Sequence, residues 1–212
     1  TADKYVQRLW DIWWRERESL AEFILPTSVW KLAGIRPANH PQRRLALAAH
    51  WISSTDFLPK LENWFAQPKA EKELLPSLLK VLQNGKDPFW AKHWTFRSAG
   101  FEVEQTLLGE NRATDLAINV ILPWFWIRAV AGKNEEVRKT AEERYLAWPM
   151  AEDNSVLKLA RKRLLAENKH PLPKTAATQQ GLLQIVRDFC EHSNAICENC
   201  RFPDLVKQIR NC

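Results

Sequence analysis

The stretch LAINVILPWFWIRAV, Leu116 to Val130, decides how this chain is read. It is too apolar for a surface loop. Interruptions at Asn119, Pro123 and Arg128 leave it short of the ~20 consecutive apolar residues that a membrane-spanning helix needs. The spacing therefore predicts a buried helix over about 112 to 131.

Working outward, apolar residues keep recurring at helical intervals. Towards the C-terminus they predict helices at about 134 to 147, 153 to 167 and 176 to 192. Towards the N-terminus they predict helices at 70 to 84 and 56 to 66, and one starting near Pro41 with Leu45, Ala48, Ala49 and Ile52 on one face. A further helix is expected over 4 to 25, where Trp10, Trp13 and Trp14 sit at i, i+3, i+4 and the run ends at Pro26. The punctuation agrees: Asn84-Gly85 and Gly132 read as stops, Asp153 or Asn154 and Thr175 as N-caps, and His170-Pro171-Leu172-Pro173 as an extended connector. Residues 94 to 108 could hold a short extended piece, but no run alternates long enough to build a sheet. The expected fold is all-α, an irregular multi-helix bundle with a C-terminal cysteine-rich metal-binding segment. No signature recurs at a fixed period, which argues against a solenoid. Residues 1–171 are expected to form the bundle. Residues 172–212 are read as a terminal helix plus the cysteine-rich segment, packed on the same unit with a hinge at Leu172 to Lys174.

Composition narrows the class. Six glycines and 45% apolar residues in 212 describe a globular chain, neither disordered nor membrane-spanning. The net charge of +6 permits a polyanionic partner without demanding one. Eleven tryptophans are several times the usual share, and most are expected in the core or between helices, where an indole buries a large apolar area. No charged-then-apolar leader opens the sequence, so a cytoplasmic protein with reduced thiols is expected. Because Thr1 is not a natural start and the helical pattern is already running at Tyr5, a longer parent protein is expected.

All four cysteines, Cys190, Cys197, Cys200 and Cys212, fall in a C-x6-C-x2-C-x11-C string. Two thiols three positions apart reach one ion from a tight turn, and four converging thiols suit a tetrahedral zinc or an iron–sulfur cluster. Zinc ranks first, no metal second, and an iron–sulfur cluster third, with His192 and His170 as reserve ligands. The segment Cys190 to Cys200 is similar to the start of the cluster loop in helix-hairpin-helix DNA glycosylases. In that loop a fourth cysteine follows after five residues, a position held here by Val206.

Three other sets of residues invite a ligand. In Gly34-Ile35-Arg36-Pro37-Ala38-Asn39-His40-Pro41-Gln42-Arg43-Arg44, prolines stiffen a loop leading into a helix N-terminus. There Arg36, Asn39, Arg43 and Arg44 could grip a phosphate or carboxylate, or else lock two helices together. Arg112, Asp115 and Asn119 make a polar stripe at i, i+3, i+7, and Gln180, Gln184 and Arg187 make another; either lines a pocket or forms an interhelical network. P-loop, dinucleotide, H-E-x-x-H and G-x-S-x-G signatures are all missing from the sequence.

The loop from Ala33 to Ala46, Leu108-Gly109 with Arg112, Asn119 to Pro123, and Gln179-Gln180-Gly181-Leu182-Leu183-Gln184-Ile185 occur in this order ahead of the cysteines. Together they resemble the C-terminal part of a bacterial family catalogued as domain of unknown function 2851. The resemblance implies a larger parent with a further N-terminal region, and no particular activity. The expected role is a non-catalytic, metal-stapled helical module that binds nucleic acid or the parent's N-terminal domain through the basic loop. Part of an enzyme whose site is shared with that missing domain, and a purely structural domain, are the alternatives.

Overall fold

The computed structural model describes residues 3–83, 87–165, 172–190 and 200–210. Among them lie ten α-helices and no strand. The helices are α1 (Lys4–Glu16), α2 (Pro41–Ser53), α3 (Phe57–Ala66), α4 (Glu71–Leu82), α5 (Glu110–Leu116), α6 (Leu122–Ala131), α7 (Glu135–Ala147), α8 (Ser155–Leu165), α9 (Ala176–Phe189) and α10 (Phe202–Arg210). The chain divides into two compact units, Thr1–Ala66 with Lys80–Gly109 and Gln67–Leu79 with Glu110–Cys212. The connector at Leu172 lies within the second unit.

The first unit buries Leu47, Leu61, Trp64, Phe65 and Trp90. Its α1 begins where Asp3 accepts from the Tyr5 N–H at 2.7 Å. Tyr5 then stacks on Phe89 at 4.6 Å between centroids and its hydroxyl accepts from Trp90 Nε1 at 3.0 Å. The helix ends at Glu16, well before the expected Pro26, and short 3-10 turns follow at Ala21–Phe23 and Thr27–Val29. None of its residues is buried, so tertiary packing gives no support for extending it. Residues 94 to 108 carry turns and bends in place of the extended piece.

In the second unit, α5 and α6 run as one helix joined by a π-helical turn at Ala117–Ile121, where the Leu122 N–H bonds back to the Ala117 carbonyl. Pro123 explains the widening: it has no N–H to donate and its ring clashes with the carbonyl four residues earlier. Glu110–Ala131 is long and apolar enough to cross a membrane by composition, and 44% of its most apolar window is buried inside the protein. Gly132 stops it, but the left-handed residue is Lys133, at φ 52°. Asn134 then caps α7 by accepting from the Val137 N–H at 3.1 Å. Across α8 and α9, Leu157, Ala160, Leu182 and Val186 form a small core. Thr175 caps α9 as expected, accepting from the Thr178 N–H at 3.3 Å.

Tryptophan placement departs from expectation. Trp64, Trp90 and Trp148 are buried, whereas Trp10, Trp13, Trp14, Trp30 and Trp126 are exposed. Four of those five belong to α1 and the turns after it, the part of the first unit that packs least.

Candidate functional site

In the first unit, Pro41 opens α2 and the His40 ring caps it, accepting from the Gln42 N–H at 3.3 Å. From there Arg43, Leu47 and His50 follow at i, i+4, i+7 and share one face. Arg43 is only 1% exposed. Its guanidinium donates to three backbone carbonyls, those of Trp90, His93 at 2.8 Å and Thr106 at 2.8 Å. It also lies 4.8 Å from the centroid of the Trp94 ring. Burial pushes its pKa down, the Arg44 charge adds to this, and Asp87 opposes both. Arg44 donates to the Leu107 carbonyl at 3.1 Å and to Asn39 Oδ1. Arg43 and Arg44, the latter held by Asn39, thus fasten segment 90–107, which has no regular ladder of its own, to α2, the locking arrangement that was one of the two readings of this loop. Arg36 alone of the three arginines keeps an exposed side chain.

That fastening builds a cavity. His50, Asp87, Leu47, Gln83, Thr106 and Leu108 are among the residues lining a space of about 300 Å³ inside the first unit. Asp87 is almost fully buried; its Oδ1 accepts from the Phe89 and Trp90 N–H groups at 3.0 Å each. Its Oδ2 meets His50 Nε2 at 2.9 Å, while the His50 side chain stays 38% exposed. A carboxylate only accepts, so Nε2 carries a proton in this pair, and in the neutral ring Nδ1 is an acceptor with no partner among the described residues. The arrangement holds an imidazole in one orientation, ready to take a proton or a hydrogen bond.

The remaining candidates scatter. Arg112 and Asp115 form an exposed ion pair at 3.2 Å, and Asn119 Nδ2 donates to the Asp115 carbonyl at 2.9 Å. Asn119 borders the groove between α6 and α7. Gln184 is exposed and donates to both carboxylate oxygens of Asp188 at 2.8 Å, and Gln180 is half-buried. The buried amide of α9 is their neighbour Gln179, which clamps both the N–H and the carbonyl of Ala151 at 2.8 Å. Cys190 ends α9, half-buried against the α8/α9 core, and Cys200 is half-buried too; neither is in a disulfide. Cys197, Cys212, His170 and His192 lie outside the described residues. Among the described residues no three histidine, cysteine or acidic side chains are placed to share a metal.

His50 and Asp87 were invisible to motif reading because 37 residues separate them. The available signals were indirect, a histidine two turns after a buried arginine and an aspartate heading a turn.

The described residues form an all-helical protein with a histidine–aspartate pair lining a cavity in its first unit. The chain belongs to the family described as protein of unknown function (DUF2851), whose match covers residues 1–155. That span contains the Arg36 loop, His50, Asp87 and the Arg112 stripe, and ends before α9 and the cysteines. No curated protein and no solved structure matches the chain.

Proposed function

We propose that the first unit binds a small organic molecule bearing an acidic or hydrogen-bond-donating group, with His50 as its proton acceptor and Asp87 as the positioning residue. The observation that carries this reading is His50 lining a cavity of about 300 Å³, with its Nε2 held at 2.9 Å by a buried carboxylate. A proton taken at Nδ1 leaves an imidazolium stabilised by Asp87, which a cavity without that carboxylate would disfavour. Leu47 and Leu108 supply apolar walls and Gln83 and Thr106 a polar rim, the usual division of labour in a ligand site. Binding of phenol, benzoic acid and succinimide, followed through the His50 ring resonances, tests the assignment. At least one probe is expected to shift those resonances in the wild type and, by calorimetry on both proteins, to lose its affinity in His50→Ala. Silence from all three, or unchanged affinity in His50→Ala, overturns it.

The C-terminal thiols remain a zinc staple in this reading, with an iron–sulfur cluster second. Support comes from the C-x2-C spacing of Cys197 and Cys200 and from Cys190 at the end of a packed helix. A cytoplasmic setting, which keeps thiols reduced, belongs to the same proposal. A polyanion grip has lost Arg43 and Arg44 to backbone carbonyls, so it is not carried further.

A further inference from the structure

The second unit holds a larger space, a groove of about 550 Å³ between α6 and α7, and its chemistry differs from that of the first-unit pocket. The floor is apolar, made by Ile118, Leu122 and Pro123 with Ala141. The rim carries Asn119, Trp126, Glu142 and Tyr145. The π turn helps to make it, because Ile118 and Asn119 belong to the widened segment that Pro123 imposes.

The rim groups are orientated by bonds that leave acceptors over. Glu142 Oε1 accepts from Trp126 Nε1 at 2.8 Å and from Arg138 Nη1 at 2.7 Å. Glu142 Oε2 and the Tyr145 hydroxyl have no partner among the described residues. Asn119 Nδ2 is committed to the Asp115 carbonyl at 2.9 Å, which leaves its Oδ1 free there as well. The charge balance is negative: among the described residues Arg138 is the one cation paired with Glu142, and it is shared with Glu135, which it meets at 2.7 Å. The Trp126 indole N–H, followed by Arg138, holds the Glu142 carboxyl below the usual range, so the groove carries its anion at neutral pH.

An apolar floor, a carboxylate oxygen, an amide oxygen, a phenol and an exposed indole suit one kind of guest. We propose that this groove binds a primary alkylammonium group, its aliphatic stem on Leu122 and Pro123 and its three N–H donors shared among Glu142 Oε2, Asn119 Oδ1 and Tyr145 Oη. Trp126 offers an aromatic wall beside the cation. A free amine and a lysine side chain present the same group, and the experiment separates them.

Hexylammonium, hexanol and Nα-acetyl-lysine amide are titrated into the full chain while the indole N–H of Trp126 is followed by NMR. Hexylammonium is expected to shift that signal, hexanol to bind at least tenfold more weakly, and Glu142→Gln to lose at least tenfold in hexylammonium affinity. Asn119→Leu gives a second reading that leaves the Glu142–Arg138 pair in place, and a loss of affinity is expected there too. Tighter binding of the lysine derivative than of hexylammonium assigns the groove to a lysine side chain, and the reverse order assigns it to a free amine. Equal binding of hexanol, undiminished binding in both variants, or no response to any probe overturns the proposal. The readout lies in α6 and α7, so failure here leaves the His50 reading untouched.

Discussion

The Arg43 guanidinium does for segment 90–107 what a neighbouring strand would do in a sheet: it gives buried carbonyls a donor. Removing it strands those carbonyls, each at a cost of about 1–3 kcal/mol. Arg43→Met is therefore expected to lower stability by about 3 kcal/mol or more, read by chemical denaturation. Arg43→Lys is expected to rescue little, because a single ammonium cannot reproduce the planar fork that reaches three acceptors. Arg36→Ala should stay within about 0.5 kcal/mol of the wild type, as for other exposed positions. A large effect at Arg36 with a small one at Arg43 would reverse the roles assigned to them. Tyr5 makes a pH prediction. Burial raises its pKa above the ordinary phenol value, with the Trp90 hydrogen bond working the other way and Asp87 adding to the rise. A raised folded-state pKa contributes stability that is complete below the unfolded value of about 10 and is lost as pH climbs through the folded value. Denaturation midpoints should fall across that alkaline window, and Tyr5→Phe should flatten the fall at the expense of the bond to Trp90.

At the scale of elements, most helices were legible because their apolar residues recur every three or four positions and their ends carry Pro41, Gly132, Asn154 or Thr175. Two departures have physical causes. The pattern that suggested a helix as far as residue 25 includes Leu20, Phe23, Ile24 and Leu25, all of which are exposed, so periodicity there had no packing to enforce it. The π turn depends on Pro123 meeting a helix that continues past it, and sequence alone offers a break or a kink as readily. The link between α6 and α7 makes a further prediction. Lys133 occupies the left-handed region at φ 52°, a conformation unfavourable for a residue with a Cβ. Lys133→Gly is expected to stabilise the protein by about 1 kcal/mol, visible as a raised denaturation midpoint, whereas Gly132→Ala should gain nothing because its Cβ would sit 3.3 Å from the Arg128 carbonyl. The sites were harder to read than the helices. Arginines beside prolines announced an anchored turn, and that reading was open from the start. The His50–Asp87 pair needed the fold to close a gap of 37 residues.

For the whole molecule, the metal proposal gives the plainest measurement. Freshly purified protein is expected to contain one zinc per chain by elemental analysis, and chelation should loosen the end of α9 while leaving the His50 resonances unchanged. Iron with acid-labile sulfide would select a cluster, and neither metal would remove the staple. Both compact units are discontinuous in sequence: the second takes Gln67–Leu79 from between the two pieces of the first. No single cut can separate the two units. During synthesis that interruption has a cost in time. The Gln67 carbonyl accepts at 2.6 Å from Arg144 Nη2, a donor made 77 residues later. At ~5–20 residues per second the ribosome takes on the order of 4–15 s to deliver it. Until then Leu74 and Leu78 of α4, fully buried in the finished protein, are displayed on a nascent chain whose first unit can already close. This makes the start of α4 a target for a chaperone on the nascent chain.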